Sequence, residues 1–147
     1  MKKTKTDENS VIAKASKLLA GAKTVYLATN GLHGHPNLRA VAPVTAEGVR
    51  TVWFATFAGS NKVQELFNDK HAVIYVEGSE MACECRLWGF IEVLDDMESR
   101  KKAWNAEIAQ HFPDGIESPD LRALRFDVVN GVYTDNKKME TIPFNIE

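Results

Sequence analysis

Apolar residues recur at helical spacing early in the chain and then gather mostly in short strand-like runs. Val11, Ile12, Ala15, Leu18, Leu19 and Ala22 mark one face of a 3.6-residue repeat. They predict a helix capped by Ser10 and ending near Gly21. Thr24–Thr29 is β-branched and aromatic and predicts a strand. Asn30-Gly31 signals a turn, which Gly34 and His35-Pro36 extend. Leu38–Val44 predicts a second strand, with Leu38, Ala40, Ala42 and Val44 on one face, and Glu47-Gly48 a second turn. Thr51–Phe57 predicts a third strand, apolar on both faces. Ala58-Gly59 breaks it, and Ser60 is placed to cap a short helix carrying Val63, Leu66 and Phe67 at i, i+3 and i+4.

Farther along, His71–Glu77 predicts a fourth strand and Gly78–Met81 a loop. Cys83–Leu94 predicts a long fifth strand, in which Gly89 marks a bulge or a close backbone approach. Asp95-Asp96 opens the longest predicted helix, about Met97–His111, with the stripe Met97, Trp104, Ile108 and then Phe112. Pro113, Gly115 and Pro119 predict a loop, and Leu124–Tyr133 a last strand. The expectation is six strands and three helices, a mainly β (α+β) chain. The first three strands are joined by turns too short for crossover helices, so they pair antiparallel. Short strands with both faces partly apolar suggest a closed or nearly closed barrel, with helices covering its ends. Residues 1–9 read as a disordered tail, 10–135 as the domain and 136–147 as a C-terminal tail.

Composition narrows this picture. The chain has 147 residues, close to the modal domain length, so one domain is expected. A net charge of −2 argues against nucleic-acid binding, which favours a basic excess. Cys83 and Cys85 are too few for a disulfide framework and too close along one strand to bond each other, which points to a reducing, cytoplasmic setting. Lys14 and Lys17 interrupt the early apolar stretch, so a secretory leader is not expected, and no apolar run is long enough to span a membrane.

The most informative chemistry runs from Trp53 to Lys62, where a strand passes through a glycine-containing loop into a helix start. Free backbone N–H groups and the helix dipole favour an anion there. Lys62 sits in the first turn, where a cation is unfavourable unless an anion offsets it, and Thr56 and Ser60 add hydroxyls. Together they suit a phosphate monoester, although a capped helix with a solvated lysine gives the same pattern. Arg39 interrupts an otherwise apolar strand; it either reaches a phosphate or flanks the barrel rim. His33 and His35 lack further ligands nearby, so no metal is expected, and His71 and His111 read as isolated. No nucleophilic triad, paired-carboxylate site or Walker loop is visible.

These residues in order carry a resemblance: Gly34-x-Pro36-x-x-Arg39, Trp53-Phe54-x-Thr56, Ser60-x-Lys62, a strand with Gly89 leading to Asp95, a Trp104-containing helix, and Phe112-Pro113-x-Gly115. Over roughly residues 10–133 the chain resembles the FMN-binding split-barrel family related to pyridoxamine 5′-phosphate oxidase, and within it the general stress protein 26-like branch. The resemblance implies a six-stranded antiparallel split β-barrel with three flanking helices, a homodimer, and two FMN sites at its interface. It places the phosphate on Arg39, Ser60 and Lys62, with the backbone N–H of Asn61. It sets the isoalloxazine edge along Ala40, Val41 and Ala42 and beside Phe54, Ala55 and Thr56. Trp88 and Trp104 are the aromatic candidates from the partner subunit. A bound flavin would carry the redox chemistry itself, which accounts for the missing acid–base constellation.

True pyridoxamine phosphate oxidases end in a segment with Arg and His that holds the substrate phosphate. Thr141–Glu147 has neither, so vitamin B6 oxidation is not expected. The resulting expectation is an FMN-dependent oxidoreductase with an unidentified small-molecule redox partner. The alternatives are a non-catalytic stress protein holding flavin, deazaflavin or haem, and a divergent pyridoxamine 5′-phosphate oxidase.

Overall fold

The computed structural model describes residues 5–146. Its elements are α1 (Lys5–Ala20), β1 (Val25–Asn30), β2 (Pro36–Val41), β3 (Thr45–Glu47), β4 (Thr51–Phe57), α2 (Asn61–Asn68), β5 (His71–Glu77), β6 (Cys83–Leu94), α3 (Met97–Lys102), α4 (Ala106–Ala109), β7 (Leu121–Asp135) and β8 (Glu140–Asn145). All strand pairs are antiparallel, in the order β2-β1-β5-β6-β7-β4-β3, with β8 also on β7. Val25 and Leu27 near one end of that order share a single buried cluster with Val52 and Phe54 near the other. The sheet therefore curls around one core, as the short strands with both faces partly apolar suggested. The class is the antiparallel barrel expected, with two more strands and one more helix among the described residues.

The long strand β7 organises the barrel. One edge pairs with β6 from Ala123 to Asp135. The other is shared: β4 takes Leu121–Asp127 and β8 takes Asn130–Asp135. Gly89 lies where the β6–β7 register shifts, and a Cβ there would collide with the carbonyl oxygen of Asp127. The expected close approach is therefore real, and it also explains the bulge. At Gly131 a Cβ would meet Phe144 Cζ at 2.6 Å, so the glycine makes room for the ring that β8 inserts into the core.

Strands three, four and five fall where the pattern set them, at Thr51–Phe57, His71–Glu77 and Cys83–Leu94. Other expectations need correction. Helix α1 starts at Lys5, so Ser10 lies inside it instead of capping it. Of the disordered tail expected over residues 1–9, residues 5–9 belong to α1 instead, and residues 1–4 lie outside the described residues. Glu8 accepts the backbone N–H of Asn145 at 3.0 Å, a tie to β8 that local patterning does not contain. The expected helix over Met97–His111 is two short ones: α3 closes at Ala103, and Asn105 caps α4 by accepting from Ile108 N at 2.8 Å. An Asn cap in mid-pattern restarts the helix, and α1, with 16 residues, becomes the longest. The segment after Asp135 forms β8, since Phe144 finds a core place beside Gly131.

Two faces are also turned from their expected directions. Strand β2 ends at Val41, and Leu38 on it is 71% exposed. Arg39 stands opposite Leu27, whose side chain is in the core, so β2 turns its charged residue inward and Leu38 outward. On α2, Val63 and Leu66 are buried as expected, but Phe67 is 70% exposed and Glu65 only 2%.

Candidate functional site

The site begins where β4 leaves the sheet. Thr56 is buried at the end of β4, and its Oγ1 donates to Ser60 Oγ at 3.1 Å. Ser60 occupies the N-cap position of α2 in extended backbone, as expected, yet its side chain bonds no helix N–H. The first turn of α2 thus keeps donors uncapped by any side chain, which is the condition for receiving an anion. No acidic residue lies in that turn. Lys62 does, half-buried, and its ammonium is held below its usual pKa, first by burial and then by the positive charge of Arg39, with Glu65 opposing both. Among the described residues it makes no ion pair.

Arg39 reaches this corner from β2. Its Nη1 donates to Thr29 Oγ1 at 2.7 Å and to the Leu27 carbonyl at 3.5 Å, and its Nη2 pairs with Glu65 Oε1 at 3.1 Å. The other Glu65 oxygen accepts from Asn37 Nδ2 at 2.6 Å and Thr29 Oγ1 at 3.4 Å. A nearly sealed carboxylate survives because three donor contacts surround it. Arg39 is therefore neither a rim residue nor free: it is anchored on the inner side of β2, with its charge close to Lys62. The two cations exceed the one carboxylate, so the corner carries a net positive charge.

The remaining expected residues stand around it. Asn61 is exposed at the start of α2. Ala40 and Val41 lie on β2, an edge strand whose outward backbone groups are unpaired by any neighbour in the sheet, and Ala42 follows just beyond it. On β4 the pairing with β3 stops at Trp53, leaving that edge of Phe54, Ala55 and Thr56 open. The Phe54 ring is committed to the core, so only its backbone is available there, whereas Ala55 packs with Trp53 and Ala123 on the other face. Trp53 Nε1 is buried without a hydrogen-bond partner. Trp88 lines one cavity with Thr29, whose hydroxyl holds Arg39. Trp88 stands on the outer face of β6 under Arg86, and Trp104 near Phe112 with ring centroids 6.2 Å apart.

Sequence reasoning missed Glu65 and Asn37, because a glutamate on a helix face reads as solvated. It also took His71 as isolated. In the structure Asp69 Oδ1 lies 2.7 Å from His71 Nδ1, and Asp69 Oδ2 accepts from Asn30 Nδ2 at 2.8 Å. These hydrogen bonds, the backbone N–H of His71 foremost, hold the Asp69 carboxyl down at about 2. The Asp-x-His spacing at the start of a strand was the available signal.

Fold and corner together define a split-barrel protein with an anion-receptive helix start beside two open strand edges. A family model described as Pyridoxamine 5′-phosphate oxidase like matches residues 10–146, and the chain belongs to that family. The chain is 28% identical, with a TM-score of 0.82, to a Clostridium acetobutylicum protein related to general stress protein 26 of B. subtilis, of the pyridoxinephosphate oxidase family; the match covers 95% of this chain and 96% of that one. A pyridoxamine 5′-phosphate oxidase-related, FMN-binding protein from Nostoc punctiforme shares the fold at 16% identity and a TM-score of 0.66, over 100% of both chains. A haem-binding protein from Mycobacterium smegmatis shares it at 16% identity and 0.74, over 92% of this chain and 57% of that one. No curated protein matches the chain.

Proposed function

We propose that this chain binds FMN and acts as an oxidoreductase, as a cytoplasmic homodimer with its flavin sites at the subunit interface. One observation carries the reading. An uncapped helix start, a half-buried lysine and an anchored arginine gather at one corner, with more positive than negative charge. Such a corner fits a phosphate monoester and is costly without one, since Lys62 is both desolvated and repelled by Arg39. Membership of a family with an FMN-binding relative supports the same cofactor.

In this reading Arg39 and Lys62 neutralise the phosphate, Ser60 Oγ and the Asn61 N–H donate to it, and Glu65 keeps the guanidinium aimed. The backbone of Ala40–Ala42 and the open edge at Phe54–Thr56 offer hydrogen bonds to the ring system. When bound, FMN supplies hydride or electron transfer at its N5, so the protein's task is to hold and orient it. The outward apolar side chains of Tyr26, Leu38, Phe90 and Val129 support a second copy covering the sheet.

The absorbance spectrum of the protein as isolated is the direct test. Flavin bands, FMN released on denaturation, and bleaching by NADH or NADPH are expected. A Soret band would replace FMN with haem. A flavin that no donor bleaches would leave a carrier in place of an oxidoreductase. Colourless protein that takes up no added FMN would end the proposal.

A further inference from the structure

Cys83 and Cys85 have no part in the flavin reading. Two residues apart on β6, they share the face of the strand that packs on the barrel core. Cys85 is sealed, whereas Cys83 is half-buried and lines a cavity of about 410 Å³ between the end of α1 and the start of β6. Lys14, Lys17, Glu77 and Tyr133 line the same cavity. Both lysines are exposed, and among the described residues neither pairs with an acid, so the lining carries a net positive charge. Gly78 stands against the Cys83 sulfur, where a Cβ would overlap it, so the glycine leaves the thiol its place. Tyr133 is hydrogen-bonded to Cys83; burial first and that bond second push its hydroxyl up to about 12. Burial, and then Cys83, push the Cys85 thiol up to about 12, so the two sulfurs are close enough to feel each other's charge. None of the cavity's residues belongs to the flavin corner, nor to the sheet-face positions offered above to a second copy.

We propose that Cys83 and Cys85 together hold one soft monovalent metal ion, Cu(I), as a two-coordinate bis-thiolate reached through this cavity. Soft thiolate ligands select Cu(I). Two sulfurs in line complete its coordination, whereas a structural zinc site takes four ligands. The spacing suits the ion. Residues i and i+2 of a strand lie about 6–7 Å apart. A sulfur–metal–sulfur span, twice a metal–thiolate bond, is about 4.5 Å. Turning the two side chains toward each other along the strand closes that difference. In the binding step two S–H bonds break and two Cu–S bonds form. One positive ion enters, two protons leave, and the complex carries one negative charge. Lys14 and Lys17 offset that charge at the mouth, against Glu77 and against Asp135, which stands opposite Cys83 on β7. The burial of Cys85 shields the ion from water and from competing ligands. The site is independent of the flavin reading, and either can fail alone.

The test titrates the purified protein with Cu(I), without oxygen, against the coloured chelator bicinchoninate. The chain is expected to withdraw one Cu(I) from the chelator, with a thiolate-to-metal charge-transfer band in the ultraviolet, and excess Zn(II) does not displace it. C83A and C85A each weaken binding by more than about 100-fold, beyond the loss that an outer partner causes. C83A, at a half-buried position, serves where C85A fails to fold. K14A/K17A, both at exposed positions, keeps the fold and weakens binding by about tenfold. Affinity rises with pH, since both protons must leave. Cu(I) raises the melting temperature of the wild type and leaves that of C83A unchanged, because the ion binds the folded pair. Full retention of Cu(I) by C83A, no withdrawal from the chelator, displacement by Zn(II), or a melting temperature lowered by Cu(I) would overturn the proposal. The flavin spectrum of the same sample reports separately on the FMN reading.

Discussion

Lys62 and Arg39 serve the same corner but depend on it differently. Lys62 contributes nothing to packing that the structure shows, and its charge is disfavoured by burial and by Arg39. Lys62→Ala is therefore expected to leave the fold intact and to weaken FMN binding by about 1.5–3 kcal/mol, one charged hydrogen bond, in a fluorescence titration. Arg39 also balances Glu65, whose side chain is 3% exposed. Arg39→Ala leaves that carboxylate buried and unpaired, so a loss of about 3–5 kcal/mol of stability is expected in urea unfolding. Adding Glu65→Gln should recover part of it, which separates the ion pair from any lost packing. Asp69 gives a pH effect of known sign. Its folded pKa is near 2 against an ordinary value of 3.8, so the stability it contributes is present above about pH 4 and lost as pH falls toward 2. Asp69→Asn should flatten that limb of the stability–pH curve.

At the scale of elements, strand boundaries were legible and facing was not. Strands β4, β5 and β6 are β-branched and aromatic runs bounded by breakers, and their ends follow from local chemistry. For β2 the alternation was visible, but only its register with β1, which sets Leu38 opposite Ala28 and Arg39 opposite Leu27, decides which side is inside. The glycine in β6 was readable as a special position because a strand interior otherwise avoids it. Gly89→Ala must push its methyl into the Asp127 backbone, and a cost of at least about 2 kcal/mol is expected in thermal unfolding, with the β6–β7 bulge as the site of distortion. Arg100 is a case that only the fold explains. Its guanidinium is buried and donates to the carbonyls of Asp95, Ile116 and Ser118, tying the loop before β7 to α3. Within the sequence it is one more basic residue in a basic helix end.

The whole molecule presents an apolar outer sheet face, and the proposed homodimer is judged at that scale. Sedimentation should give twice the 16.4 kDa of the chain. Leu38, 71% exposed, lies on that face and outside the core. Leu38→Glu is expected to yield a folded monomer that also releases FMN, if the flavin sites lie between subunits; a variant that stays dimeric would move the interface elsewhere.

Local sequence, by itself, determined the antiparallel mainly β class, three of the strands to the residue, and the loop-to-helix start with its hydroxyls and lysine, because periodicity, breakers and capping act over a few residues. The tertiary structure alone decided that Arg39 points inward, that Glu65 is buried against it, that β8 completes the edge of β7, and that Asn30 meets Asp69 beside His71. Those outcomes depend on which strands pair and in what register, and pairing joins residues distant along the chain whose partners no local pattern names.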